Sequence, residues 1–195
     1  YEIETWLEFR RVLFRSASGS PRRQQFLKDL GLDFTIVVKE IEEIYPKGLK
    51  GSDITDYLAK LKSSPFKDLK ENDILITSDT IVWMDDSAIG KPKGKNDAIK
   101  IFKKLSGKKH QVITSICIKT INKTKIINDT TNVYFKELSD EEIEFYIDNF
   151  HPYDKAGGYG IQDWIGYIGV VKIEGSFFNV MGLPVHKLYT ELSKF

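Results

Sequence analysis

Strand-like runs that alternate with helical ones predict an α/β chain, and three observations carry that prediction. The short apolar run Val12-Leu13-Phe14 passes through a Ser/Gly-rich turn into residues with helical spacing, Phe26, Leu27 and Leu30. The run from Asp73 to Trp83 is almost continuously apolar, as a strand covered on both faces is. Two longer runs rich in Ile, Val and Thr, 111–120 and 126–135, flank a polar turn at Asn122-Lys123 and read as an antiparallel pair.

At 195 residues and 41% hydrophobic content the chain is long enough for one well-packed core, so one domain is expected over 12–195. Residues 1–11 mix Trp6 and Phe9 with acidic side chains and lack an initiator Met, which suggests an irregular, truncated, processed or expression-derived segment. The 29 Lys and Arg residues nearly balance 28 Asp and Glu, so no global basic field advertises stable nucleic-acid binding. Any strongly positive surface must be local. The single Cys117 excludes an internal disulfide and a multi-cysteine metal site, and its apolar run makes it buried filler. With no bilayer-length apolar run and no cleavable leader, a soluble, cytoplasmic protein without a membrane partner is expected.

Each element has its own signal. Ser20 is a favoured N-cap, Pro21 suits the first helical position, and Gly31 supplies the stop. Phe34 to Val38 is β-branched and reads as the second strand, closing on Glu40, Glu42 and Glu43. A loop over 46–51 leads to Ser52, a candidate cap for a helix with Ile54, Leu58 and Leu61 on one face, ended by Pro65. Met84 to Ala88 can turn a hairpin that returns through Ile89 to Gly90-Lys91-Pro92. Ile99, Phe102 and Leu105 mark a helix over 96–105 whose Lys100, Lys103 and Lys104 form a solvated face, with Gly107 at its end. Ser139 and Glu142 make a capping box, with Leu138 and Ile143 as its hydrophobic staple, so a helix runs to about Ile147. Gly169 to Gly175 reads as a strand and turn, and Gly182-Leu183-Pro184 opens a last helix on Val185, Leu188 and Leu192.

Several of these places could hold chemistry. The open amides at the start of the helix after Ser20, its dipole, and the charges of Arg22 and Arg23 favour an anion such as phosphate. An ordinary capped helix with two solvated arginines has the same sequence. Asp79 interrupts an apolar strand, where a buried carboxylate is costly unless paired or coordinated. Three glycines among Asp154 to Gln162 permit close backbone approach to a ligand. His110, His151 and His186 have no ligand-like spacing.

Taken together, Ala17 to Arg23, Ser78-Asp79-Thr80, Gly90-Lys91-Pro92, Leu105-Ser106-Gly107, Asp154-Lys155-Ala156-Gly157, Tyr159-Gly160-Ile161-Gln162 and Gly182-Leu183-Pro184 resemble the Maf family of nucleoside triphosphate pyrophosphatases. The resemblance runs from about Ser16 to the C-terminal helix. It implies an α/β fold similar to inosine triphosphate pyrophosphatases, with a mixed twisted sheet flanked by helices and two lobes around a cleft. It also implies hydrolysis of a nucleoside triphosphate to monophosphate and pyrophosphate with a divalent metal, and it suggests a homodimer. The dTTP/UTP branch is matched by Arg22, Thr80 and Gln162. By the same resemblance Asp79 is the proton acceptor, and Glu42 or Glu43, Lys62, Lys91, Asp154 and Lys155 surround the cleft. The sequence departs from the family pattern ahead of Ser16, in an alanine-poor helix near Lys62, and at Gly158 in place of Ala.

On that resemblance the helix start at Ser20, with Arg22, Arg23, Lys62, Lys91 and Lys155, would bind phosphates, and Mg²⁺ or Mn²⁺ on Glu42, Glu43 or Asp79 would activate water. Asp79 is then base, metal ligand or both. Surrounded by lysines and a metal it is expected to stay ionised and act mainly as a positioner. Gln162 can both donate and accept, which matches the N3–H and O4 edge of uracil or thymine. Plainer roles compete: Thr80 as a strand residue, Gln162 as a solvated amide, Asp154 and Lys155 as a surface ion pair. The alternative functions are a nucleotide-binding regulator of septum formation without turnover, and a nucleic-acid module on the lysine-rich stretch 99–109.

Overall fold

A computed structural model describes residues 12–195, so the irregular segment expected over 1–11 lies outside the described residues. Leu13–Ser16 (β1) pairs in parallel with both Phe34–Ile36 (β2) and Asp73–Met84 (β3), with Phe14 opposite Phe34 on one side and Ile74 on the other. Parallel neighbours need crossovers, which helices Pro21–Asp29 (α1) and Ser52–Ser63 (α2) provide. β3 then turns back through Asp85 and Asp86, both at positive φ (50° and 53°), into Ser87–Ile89 (β4), antiparallel to it. Two left-handed residues match the twist of a tight hairpin, and aspartate tolerates that conformation better than most side chains.

Helix Lys95–Leu105 (α3) precedes the long strands Lys109–Lys119 (β5) and Thr124–Phe135 (β6), and Asp140–Phe150 (α4) follows. After a 3₁₀ turn at Ala156–Gly158 come Trp164–Gly169 (α5), Val170–Glu174 (β7), Phe177–Val180 (α6) and Val185–Leu192 (α7). The sheet has the order β2-β1-β3-β5-β6-β7, with β4 beside β3. It is mixed, because β6 and β7 are antiparallel. The expected α/β class with a mixed sheet flanked by helices is therefore the one observed.

Local differences have local causes. β2 is three residues long, not five: the Val37 amide still donates to the Ser16 carbonyl at 2.9 Å, but Val38 is exposed. Gly51, not Ser52, caps α2. Ser20 holds the N-cap backbone position of α1, yet its hydroxyl makes no cap bond. The capping box at Ser139 and Glu142 is complete, and α4 runs on to Phe150. Helix α5 was not expected, because its glycines dilute the apolar period; Gly166 lies so close to the Ile161 carbonyl that a Cβ would sit 1.9 Å from its oxygen.

The chain divides into two compact units, one of residues up to Asp79, Thr114–Asn128 and Gly182–Phe195, the other of Thr80–Ile113 and Asp129–Met181. In the first, Phe66, Leu69 and Leu75 form a buried cluster against Ala17 and Val37. Its first strand is fixed by Arg15, whose guanidinium lies 2.9 Å from the fully buried Asp73 carboxylate. A second polar lock joins α2 to the long strands: Ser115 Oγ donates to Asp56 Oδ1 at 2.6 Å, and the Asn128 amide donates to both Asp56 oxygens. In the second unit, α3 packs on α4, with Phe102 edge-on to Tyr146 at 5.5 Å and both rings fully buried. Burying side chains of this size contributes about 1.5–3 kcal/mol each. No helix among the described residues is long and apolar enough to cross a membrane.

Candidate active site

Strand β3 positions the first unit's charged residues by simple alternation. Thr77 and Asp79 point to the same face, two residues apart, and both meet α2. Thr77 Oγ1 donates to the Ala59 carbonyl at 2.6 Å, and one helical turn on, Lys62 Nζ donates to Asp79 Oδ1 at 2.7 Å. The same ammonium lies 3.1 Å from Glu43 Oε1. Asp79 is 5% exposed, and its second oxygen, Oδ2, is buried without a hydrogen-bond partner.

Burial pushes the Asp79 carboxyl above its ordinary value, against the opposing pull of Lys62 and Arg23, while Glu43 adds to the rise. Among the protein's own groups desolvation outweighs the cationic neighbours, whereas the expectation of an ionised Asp79 included a metal, which would pull the other way. A carboxylate poised upward is a better proton acceptor.

The turn between β1 and α1 is braced by its own polar groups. The Ser20 amide donates to Ser18 Oγ at 3.2 Å, and the Gln24 side chain donates to the Ser18 carbonyl at 2.9 Å. Arg23 is engaged elsewhere. Its Nε donates to the Gly182 carbonyl at 2.8 Å and its Nη1 to the Ser78 carbonyl at 3.0 Å, so it ties the middle of β3 to the segment before α7. Those two donors are directed at protein carbonyls rather than left for phosphate. Arg22 makes no hydrogen bond or ion pair among the described residues and feels the like charge of Arg23.

Of the two glutamates left as alternatives, Glu43 meets Lys62, whereas Glu42 is exposed and is not among the charges acting on Asp79. Glu42, Glu43 and Asp79 do not form a three-donor cluster: no group of three or more His, Cys, Asp or Glu side chains with metal-binding geometry occurs among the described residues. The donor set that remains is Asp79 Oδ2, which lacks a partner, and the half-exposed Glu43 carboxylate. Two hard oxygens of this kind fit a magnesium-type ion that takes its other ligands from phosphates and water.

The second unit holds the remaining candidates. Thr80 begins it on β3, on the strand face opposite to Asp79, and is partly buried. Lys91 is exposed beside Gly90, whose carbonyl accepts from the Gly157 amide at 3.0 Å, so the two glycine-bearing motifs are bonded to each other. Lys155 is largely buried and lies 2.8 Å from Asp154 Oδ1 and 3.9 Å from Asp163 Oδ2. Gln162 is exposed and lines an open hollow of about 400 Å³ with Tyr167 and Phe177.

The family model described as Maf-like protein matches residues 16–195. The chain belongs to this family. This Maf-like chain is 59% identical over 177 residues to the dTTP/UTP pyrophosphatase of Flavobacterium psychrophilum, covering 90% of this chain and 91% of that one. It is 45% identical over 180 residues to the dTTP/UTP pyrophosphatase of Bacteroides thetaiotaomicron, covering 91% and 93%. Among solved structures, a HAM1 protein from Coxiella burnetii is similar in fold, with a TM-score of 0.51 and 16% identity over 94% of this chain and 100% of that chain.

Sequence reasoning missed three participants of this Maf-like chain. Ser78, buried with an unpartnered hydroxyl, supplies the carbonyl that orients Arg23. Asp163 holds the N-cap backbone position of α5 without a side-chain cap bond, and its carboxylate meets Lys155 and the Tyr146 hydroxyl, which donates to it at 2.8 Å. His110 is buried against Tyr159. An Asp before an apolar period is a readable signal for the N-cap position of Asp163, and Ser78 enters the sequence reading only as part of the Ser78-Asp79-Thr80 motif, while nothing in the spacing marks His110.

Proposed function

We propose that this chain hydrolyses dTTP and UTP to the corresponding monophosphate and pyrophosphate. The observation that carries the reading is the buried Asp79, held by Lys62 through one oxygen with the other unpartnered, in the unit that also carries Arg22. The family, and relatives at up to 59% identity whose names state this activity, support it.

In this reading the start of α1 and Arg22 would bind phosphate oxygens, the helix through its open amides and Arg22 through a guanidinium with no protein partner among the described residues. Lys62 would serve two purposes, fixing the Asp79 rotamer and lowering the charge that builds on the phosphates as the anhydride opens. Asp79 Oδ2 would accept a proton from water aligned with the breaking P–O bond; the water oxygen joins phosphorus and the bridging oxygen departs with pyrophosphate. Where Asp79 Oδ2 serves instead as a metal ligand beside Glu43, Mg²⁺ or Mn²⁺ would supply charge neutralisation and a more acidic water. Gln162 would read the pyrimidine edge, and Lys91 and Lys155 would add phosphate contacts, Lys155 by exchanging its bond to Asp154.

The test is a panel of common triphosphates incubated with the purified protein and Mg²⁺ or Mn²⁺, with pyrophosphate quantified. Release from dTTP and UTP well above that from GTP and ATP is expected. Binding of dTTP without pyrophosphate release overturns the hydrolase reading in favour of a regulator, and release of orthophosphate alone overturns the proposed cleavage position.

A further inference from the structure

His110, at the start of β5, is 2% exposed and meets Tyr159, three residues before Gln162. Its Nε2 lies 2.7 Å from the Tyr159 hydroxyl, and its Nδ1 is buried with no partner. We propose that His110 is a positioning residue for base selection: through its hydrogen bond to the Tyr159 hydroxyl it fixes the backbone that presents Gln162 to the nucleobase. The inference rests on the pyrimidine triphosphatase reading and adds to it a residue outside the substrate-contacting set.

Burial drives His110 down to about 4, so the imidazole is neutral near pH 7 and its tautomer sets which partner donates in the bond to Tyr159. In either direction the bond gives two buried polar groups a partner that each would otherwise lack. The phenol ring cannot pivot away, because Phe135 packs edge-on against His110 at 5.2 Å and against Tyr159 at 5.1 Å.

The segment beyond Tyr159 is tied at its other end as well. The Gly160 amide donates to the Tyr146 hydroxyl at 3.3 Å, and that hydroxyl donates to Asp163 at 2.8 Å. Gln162 is therefore the exposed residue of a short span whose flanks, Tyr159-Gly160 and Asp163, are both anchored in the core of the second unit. An amide that reads a base edge needs its backbone held within about half an ångström. The Tyr159–His110 bond holds one flank of Gln162 and the Tyr146–Asp163 bond the other.

The test compares Tyr159→Phe, His110→Phe and the double variant for kcat and KM on dTTP and GTP, together with Tm. Each single variant is expected to lose about tenfold in the dTTP-over-GTP ratio of kcat/KM, mainly through a raised KM for dTTP with kcat little changed. In the double variant both polar partners are gone, so Tm recovers while the ratio stays low. A ratio unchanged in Tyr159→Phe, which loses one oxygen and is the deciding variant if His110→Phe fails to fold, overturns the proposal. So does a double variant that regains selectivity along with Tm. Calorimetric binding of dTTP and GTP reads the same ratio without turnover: selective binding without pyrophosphate release sinks only the hydrolase reading, and equal wild-type binding sinks the positioning role.

Discussion

Asp79 concentrates two opposed demands in one side chain. Its raised pKa means that the folded protein holds the protonated form more readily than the unfolded chain does, so ionisation at neutral pH costs stability and the cost fades as pH falls into the carboxylate range. Asp79→Asn keeps the shape and removes that charge. It should abolish proton acceptance, lowering kcat by about 10²–10⁴-fold, while Tm at pH 7 stays at or above the wild-type value. Kinetics with thermal denaturation on one preparation checks both halves. The adjacent arginines separate by the same logic. Arg23→Ala removes two bonds to carbonyls, at 2.8 and 3.0 Å, and should cost about 2–3 kcal/mol in chemical denaturation. Arg22→Ala should leave stability alone and raise KM about tenfold, as expected of a guanidinium without partners among the described residues.

At the scale of elements, the site candidates depend on how loops are clamped to strands. Gly157 has φ of 69°, and a Cβ there would lie 2.6 Å from Val82 Cγ2, so the 3₁₀ turn rests directly on β3. Gly157→Ala combines a left-handed backbone with a steric clash and should destabilise the protein by about 1–3 kcal/mol. Circular dichroism melting with pyrophosphate release should show both stability and turnover falling. Ser139→Ala provides the contrast. It removes the complete capping box of α4, should cost about 1 kcal/mol, and should leave kcat unchanged, because nothing in that cap approaches Asp79 or Gln162 in its bonding.

For the whole molecule, pH acts through buried groups more than through net charge, which is only +1. His110 falls from 6.5 to about 4 on burial, so the unfolded chain binds its proton first and stability is lost as pH drops through that window. The loss should approach roughly 3 kcal/mol by pH 4 and be absent above pH 7. Urea midpoints at pH 7 and pH 5 test this, and His110→Phe should flatten the slope between them. The same near-neutral charge leaves the lysine face of α3 without a supporting field: Lys103 pairs with Asp140 and Lys104 with Asp85 within the second unit. A nucleic-acid role for that stretch finds no support in these pairings.

Much of the architecture was legible because its causes are local. The turn from β1 into α1, the hairpin at Asp85-Asp86 and the Ser139 capping box each depend on residues a few positions apart, where φ/ψ preference and side-chain reach decide the outcome. Asp79 too could be singled out from sequence, as a charge in an apolar strand. Tertiary structure decided who partners whom. Arg23 reaches Gly182 across 159 positions of sequence, Lys62 meets Asp79 across 17, and Tyr159 meets His110 across 49. Such pairings follow from strand order and packing rather than from spacing along the chain. That is why sequence offered Glu42 and Glu43 as equals and gave His110 no part, while the folded chain brought Glu43 to Lys62 and His110 to Tyr159.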